Sequence, residues 1–363
     1  MARPFYAIVP AGGSGTRLWP LSRQSSPKFL HPLPGPRSMI QETIERLRPA
    51  CDVSSIFVMT GASHAALVAR QLPDLPEEQI VIEPFARGSG PAIGLGVALA
   101  ARLDPDAIVG SFAADHYVEK PDVFINTLNA AIELAEQDYL VTIGIEPRHP
   151  ETGYGYIRSS NLLGTFAGLP GYQVAEFKEK PVLEVAERYV ASGEYLWNAS
   201  MFVWKAHIFM EELRRLLPDL AAGIDEIVAA WDTPAREETM ARVWADIEDV
   251  TIDHGILERS SRVAMVPGSF GWSDLGDWNG VGTIIQQRNS MCPENVVVNA
   301  DVITVDATNA VVFGSGRQIA IVGIDDVIVV DTHDAVLVCG RAHAQQTKEV
   351  VDRLKELGAT GLI

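Results

Sequence analysis

The stretch Ala11-Gly12-Gly13-Ser14-Gly15-Thr16-Arg17 follows a short apolar run, Phe5 to Pro10, and has the residue types of an anion cradle. Closely spaced glycines let backbone N–H groups approach an oxyanion, and Arg17 adds a fixed, planar positive fork. The spacing excludes two familiar phosphate loops. No Gly-Lys-Ser/Thr follows at P-loop distance, and Leu18 stands where a dinucleotide fingerprint needs its third glycine. On these residues alone the segment reads either as a phosphate loop or as a tight strand-exit turn. Asp115 also follows an apolar run, Ala107 to Ala113. Its carboxylate is either a turn cap or an oxygen ligand for a hard cation. Asp274 is a second carboxylate of that kind, too far along the chain for spacing to pair the two. His116 beside Asp115 reads as structural or as an outer support of that carboxylate, because a hard cation avoids imidazole.

These residues need a frame. Strand-like runs at Phe5 to Pro10, Ser55 to Thr60, Ile80 to Glu83, Ala107 to Ala113 and Tyr139 to Ile145 alternate with helical stretches. The helices are predicted from Ser38 on, at Ala62 to Leu72, Pro91 to Leu103 and Pro121 to Glu136. Ser38 and Gln41 have the spacing of a capping box, and Pro91 has the residue type of a first helical turn. Alternation of this kind predicts an α/β fold, with a Rossmann-like, mainly parallel sheet. Ligands of such sheets gather beyond the carboxyl ends of the strands, where the glycine loop and Asp115 both fall.

Further along, the pattern mixes strands at Tyr172 to Lys178 and Met201 to Trp204 with helices at Val182 to Ala191, His207 to Leu217 and Ala221 to Ala245. From Asn295 it becomes six short β-branched runs separated by Asn, Asp and Gly, ending in a helix from Ala344 to Leu357. That predicts a small C-terminal β-rich domain, β-helix-like or a small sandwich. The expected division is a catalytic domain over residues 1–290 and a β-rich domain over 291–363.

Composition narrows the function. The 363 residues carry 29 Lys and Arg against 47 Asp and Glu, a net charge of −18. Nucleic acid and anionic membranes select basic surfaces, so neither is an expected partner. A polyanionic substrate would then need a few local Arg and Lys and a divalent metal. Three scattered cysteines without CxxC spacing fit neither a disulfide framework nor a zinc site, and point to a reducing cytoplasm. No signal-peptide pattern precedes the first strand, and no apolar run is long enough for a bilayer.

The glycine loop continues as Leu18-Trp19-Pro20-Leu21-Ser22-Arg23 and then Pro27-Lys28-Phe29-Leu30. Ala114-Asp115-His116, Glu151-Thr152-Gly153-Tyr154-Gly155-Tyr156-Ile157, Phe177-Lys178-Glu179-Lys180-Pro181, Leu196-Trp197-Asn198 with Met201-Phe202, and Gly271-Trp272-Ser273-Asp274-Leu275-Gly276 follow in order. Together they resemble the sugar-1-phosphate nucleotidylyltransferases, in the version of the bacterial mannose-1-phosphate guanylyltransferases, over essentially the whole chain.

That resemblance implies transfer of GMP from GTP to mannose 1-phosphate with release of pyrophosphate. It also implies Mg²⁺ on Asp115 and Asp274. The segment Ala11 to Arg17 would cradle the triphosphate, with Arg17 on the leaving pyrophosphate, Lys28 near the α-phosphate and Arg87 near the nucleoside. Lys180 would meet the sugar phosphate, with Tyr154, Gly155, Glu179, Asn198 and Ser200 around the hexose. A homodimer is implied too. Bifunctional members add an isomerase domain, and this chain ends before one.

Three segments depart from the family pattern. Arg87-Gly88-Ser89-Gly90-Pro91-Ala92 replaces Arg-Asn-Thr-Ala-Pro-Ala, and Ser200 stands at a usual glycine. Asp253-His254-Gly255-Ile256-Leu257-Glu258 varies an Asp-Tyr/His-Ala-Val-Met-Glu motif. All three fall where substrate identity is read, so a heptose or modified hexose 1-phosphate is the alternative substrate. A catalytically silent sugar-nucleotide binder is the alternative from another class.

Overall fold

Apolar β-branched residues in short runs make the strands of a nine-stranded sheet. The computed structural model describes residues 4–13, 15–288 and 295–363. Ser14, Cys292 and the expected domain boundary at 290/291 lie outside the described residues. The chain divides into two compact units. One comprises Met1–Gly12, Thr43–Ala114 and Val118–Trp272; the other comprises Gly13–Glu42, Asp115–Tyr117 and Ser273–Ile363.

The first unit holds the sheet. Its strands are β1 (Phe5–Ala11), β2 (Ile56–Gly61), β3 (Ile80–Glu83), β4 (Ile108–Phe112), β5 (Leu140–Ile145), β6 (Gly155–Phe166), β7 (Leu169–Glu179), β8 (Tyr195–Lys205) and β9 (Val263–Gly268). They lie in the order β3-β2-β1-β4-β8-β5-β9-β7-β6. The strands β3, β2, β1 and β4 are parallel neighbours, as are β5 and β9. Antiparallel pairing of β8 with β4, β5 and β6, and of β7 with β9 and β6, inserts two opposed strands into an otherwise co-directional sheet. The α/β class read from the sequence is therefore the observed one.

Pro91 lies inside a helix that starts two residues earlier, Ser89–Leu103. Its alanines and glycines are buried almost all round, as a helix sandwiched within a core must be. A Cβ on Gly96 would lie 2.7 Å from the Ile8 side chain, so glycine is what lets this helix approach β1. The single helix expected from Ala221 to Ala245 is two, Pro218–Ala229 and Arg236–Asp246, parted by a turn around Thr233. Strand β6 is a finding of the structure. Its polar, half-exposed middle (Arg158 to Asn161) hides it from an apolar-run search, and cross-strand pairing with β7 supplies the order.

In the second unit, β10 (Val296–Val298), β12 (Val311–Phe313) and β14 (Val327–Asp331) stack in parallel, with Val296, Val311 and Ile328 in line. β11 (Asp301–Val305) pairs in parallel with β13 (Gln318–Val322), and β15 (Val336–Gly340) closes β14 antiparallel. Parallel stacking of successive turns is a β-coil, which decides between the two expected forms of this domain. The C-terminal helix runs Thr347–Glu356 after a 3₁₀ segment, Arg341–Gln346.

The core of this unit joins the coil to the early chain. Leu18, Trp19, Leu33 and Met39 share one apolar cluster with Leu275, Trp278, Val311, Phe313, Ile328 and Val330. The Trp278 indole donates to the Trp19 carbonyl at 2.9 Å, and the Trp19 indole donates to the Leu362 carbonyl at 2.7 Å. Arg23 grips Asp334 through both terminal nitrogens at 2.6 Å. Burying side chains of this size contributes roughly 1.5–3 kcal/mol each, so the segment after the glycine loop folds as part of the coil unit.

Candidate active site

Two clusters hold most of the candidate residues, one in each unit. The cluster of the second unit is built around Lys28. This lysine sits on a 3₁₀ turn, Lys28–Leu30, and is only 6% exposed. A buried ammonium must be paired and hydrogen-bonded. Lys28 Nζ lies 2.8 Å from an Asp115 carboxylate oxygen and donates to the Asp274 backbone carbonyl. One cation thus ties together two residues from distant parts of the chain. Burial alone would raise the Asp115 pKa, but the Lys28 ammonium and His116 hold it below the usual carboxylate range. His116 is itself buried.

Gly15 makes that position possible. It opens the 3₁₀ turn Thr16–Leu18 at φ 57°, and a Cβ there would stand 2.7 Å from Lys28 Cβ and 2.9 Å from Ser22 Oγ. Gly13 has φ 83° with open space where its side chain would be. On the other side, Gly276 donates its N–H to Asp274 Oδ1 at 3.0 Å. A Cβ on Gly276 would lie 3.1 Å from the Asp274 carboxylate and 3.5 Å from an Arg17 guanidinium nitrogen. Arg17, Lys28, Asp115 and Asp274 therefore form one charged group, and Gly13, Gly15 and Thr16 belong to the same unit.

Could this group hold a divalent ion? No set of three or more His, Cys, Asp and Glu able to bind a metal exists among the described residues. The donors present are two carboxylates, and a hard ion commonly takes one or two carboxylates and completes its shell with substrate phosphate and water. The donor chemistry fits Mg²⁺.

In the first unit, Ala11 ends β1, its carbonyl accepting from Thr60 Oγ1 at 2.9 Å, and Gly12 follows with open space where a side chain would point. The second cluster is assembled by β6, β7 and β8. Gly155 and Glu179 are cross-strand partners. A Cβ on Gly155 would meet Glu179 Oε2 at 2.5 Å and Asn198 Cβ at 3.2 Å, so glycine here admits those two side chains. Lys180 carries φ 46°, donates its N–H to the Tyr154 carbonyl at 3.1 Å, and places Nζ 2.8 Å from Glu179 Oε1. Tyr154 packs edge-on against Trp197 and Trp272 at 5.2 and 5.1 Å. Trp197 is itself buried.

Asn198 is 2% exposed and held on all sides. Its Oδ1 accepts from Thr142 Oγ1 at 2.8 Å and from the Ser200 N–H at 3.1 Å. Its Nδ2 donates to Asp253 Oδ1 at 3.0 Å and to Ser200 Oγ at 3.4 Å. Asp253 opens a π-helical turn, Asp253–Leu257. Burial, helped by the nearby Glu179 charge, pushes its carboxyl up to about 7. Glu258, just after that turn, accepts the Glu179 N–H at 3.0 Å and pairs with His254 at 3.0 Å. Despite burial, those bonds hold Glu258 below its ordinary value.

Sequence reasoning gave Thr142, Asp253 and Glu258 no individual role. Thr142 reads as one more residue of a buried strand, while the signal for the other two is the Asp253-to-Glu258 segment as a whole, which varies a family motif. Arg87 belongs to neither cluster by its bonds. Its guanidinium donates to the Ala245 carbonyl at 2.6 Å and stacks on Phe85 at 4.8 Å. The Gly88-Ser89-Gly90 segment after it docks on Val250 and Ile252, with Gly90 N–H on the Val250 carbonyl at 2.9 Å.

Comparison with known proteins settles the family. Residues 6–290 match the nucleotidyl transferase family model, and residues 300–354 match the mannose-phosphate isomerase/GMP-like β-helix domain. The mannose-1-phosphate guanylyltransferase ManC of Salmonella typhimurium is 37% identical over 97% of this chain and 74% of its own length. The chain belongs to the mannose-1-phosphate guanylyltransferase family.

Another relative, the xanthan biosynthesis protein XanB of Xanthomonas campestris, is 38% identical over 97% of the chain and 73% of its own length. A crystal structure from Thermus thermophilus, named a mannose-1-phosphate geranyltransferase, superposes with a TM-score of 0.85. It is 32% identical, and the match covers 97% of this chain and 99% of that one. The chain spans about three quarters of the length of the curated relatives. Membership of the family makes it a nucleotidyltransferase, with the α/β core and C-terminal β-coil seen in its fold. No helix among the described residues is long and apolar enough to cross a membrane.

Proposed function

We propose that this chain transfers GMP from GTP to mannose 1-phosphate, giving GDP-mannose and pyrophosphate by in-line attack of the sugar phosphate on the α-phosphorus. The observation that carries the reading is the Lys28 ammonium, buried and tied to both Asp115 and Asp274 beside the glycine loop. Joining two anions is mainly positioning and charge neutralisation, and the attacking phosphate is already ionised, so no general base is needed.

In this reading the backbone of Ala11, Gly12, Gly13, Ser14, Gly15 and Thr16 cradles the triphosphate. Arg17 neutralises the departing pyrophosphate, and Lys28 neutralises charge that builds at the α-phosphate. Asp115 and Asp274 hold Mg²⁺, which supplies charge neutralisation for the phosphates when bound. Lys180 meets the phosphate of the sugar, and Tyr154, Gly155, Glu179 and Ser200 line the hexose, with Asn198 in the same cluster behind them. Arg87 serves the nucleoside, the role that the family pattern gives to this position. The protein is read as a cytoplasmic homodimer, a state that light scattering of purified protein checks directly.

The curated relatives' names favour mannose over a heptose or another hexose, and the complete charged set disfavours a silent homologue. The test is pyrophosphate release with Mg²⁺, crossing four nucleoside triphosphates with mannose, glucose, galactose, glucosamine and heptose 1-phosphates. A dominant GTP-plus-mannose signal is expected. A dominant signal from another pair, or none, overturns the reading.

A further inference from the structure

Hydrogen-bond accounting in the Asn198 cluster separates the group that touches sugar from the groups that hold it. A carboxamide oxygen accepts two bonds and its nitrogen donates two. Both oxygen positions of Asn198 are filled, by Thr142 Oγ1 and the Ser200 N–H. Both nitrogen hydrogens are directed as well, to Asp253 Oδ1 and Ser200 Oγ. At 2% exposure the side chain has neither free valence nor surface to offer a ligand. Ser200 is different. It is half-buried, and its oxygen accepts from Asn198 while its own hydrogen remains to donate. Its φ of 50° is a conformation that ordinarily favours glycine, so the hydroxyl is kept at a conformational cost.

We propose that the Ser200 hydroxyl, rather than the Asn198 amide, donates the hydrogen bond to a hydroxyl of the hexose 1-phosphate, and that Asp253, Asn198 and Thr142 form a buried relay that positions it. The proposal rests on the sugar 1-phosphate reading above. Glu179, whose Oε2 lies beside Gly155, supplies an acceptor within the same cluster. In this arrangement Ser200 donates and Glu179 accepts, a combination that suits adjacent sugar hydroxyls. Asp253 is the far anchor of the relay, and Asn198 is a positioning residue.

The test is steady-state kinetics on the full chain with GTP and mannose 1-phosphate, using Ser200→Ala and Ser200→Gly. Both remove the hydroxyl, while only glycine also relieves the positive φ. Both are expected to raise the mannose 1-phosphate KM roughly tenfold, the scale of one neutral hydrogen bond, with the GTP KM within about twofold of wild type. Ser200→Gly is expected to unfold at a higher temperature than wild type even as its KM rises, which a purely structural role for the serine would not give. An unchanged KM in Ser200→Ala, or a rise in alanine that glycine does not share, overturns the proposal. For the relay, Asp253→Ala is expected to raise the same KM and Asp253→Asn, whose amide oxygen still accepts from Asn198, to restore it. Equal rises in both would remove Asp253 from the relay. Wild-type protein inactive with mannose 1-phosphate would instead refute the substrate reading itself, before any variant is compared.

Discussion

Gly15→Ala tests the link between backbone conformation and the phosphate chemistry. The residue sits at φ 57°, where an alanine costs roughly 1–2 kcal/mol relative to the right-handed regions. The new Cβ would stand 2.7 Å from Lys28 Cβ and 2.9 Å from Ser22 Oγ. Carbon atoms pack comfortably at about 3.5–4.0 Å, so Lys28 must retreat by roughly 1 Å. Lys28 has little room to do so, since it is buried and held by Asp115 and Asp274. A displacement of that size at a reacting centre costs on the order of 100-fold in rate. The conformational penalty lowers the melting temperature by about 1–3 °C for a chain of 363 residues. Pyrophosphate release and a thermal melt on the same preparation read both effects. Gly12→Ala is the comparison, because its Cβ meets nothing within 4 Å. That variant is expected to melt like wild type and to lose activity only through the cradle itself. A Gly15→Ala enzyme with wild-type turnover and wild-type melting would refute the argument that Gly15 places Lys28.

Asp115→Ala and Asp274→Ala are each expected to lose most Mg²⁺-dependent turnover while keeping a cooperative melt; retained activity in either would break the metal assignment. Lys180→Ala removes a cation for the sugar phosphate and is expected to raise the mannose 1-phosphate KM, with an unchanged value placing that lysine outside the site. Asp253 gives a pH prediction of definite sign. Burial raises its folded pKa to about 7 against roughly 3.9 when unfolded, so the folded chain binds the extra proton between those values. Its ionisation therefore costs stability progressively as pH rises from about 4 to about 7, by at most about 4 kcal/mol. Chemical denaturation at pH 5 and pH 8 should show Asp253→Asn losing less stability than wild type across that interval. Equal losses would mean that Asp253 ionises freely.

Local patterns carried much of the fold. Strands of the parallel half and their helices were readable because apolar periodicity and turn residues are set by neighbours in sequence, and Ser38 and Gln41 exchange the bonds their spacing implies. Strand β6 was not readable, because half-exposed polar residues carry no burial signal and its order comes from pairing with β7. The break between Pro218–Ala229 and Arg236–Asp246 escaped because both helices carry similar periodicity; the turn between them, at Thr233-Pro234, closes on local bonds from Thr233 to the Ala230 carbonyl and from the Ala235 N–H to Thr233 Oγ1.

The sequence by itself determined the alternating α/β core, the short-turned β unit at its end, and the motifs that mark the family. Each is written in residues adjacent in the chain, or in motifs whose order along it survives folding. Tertiary structure decided three other matters. It placed the segment after the glycine loop in the core of the β-coil, through Trp19, Trp278 and Phe313. It brought Asp115 and Asp274 to one lysine, and it put Asp253 behind Asn198. Burial of a charge or an amide demands a partner, but the demand names no sequence distance, so only the folded chain shows which residue answers it.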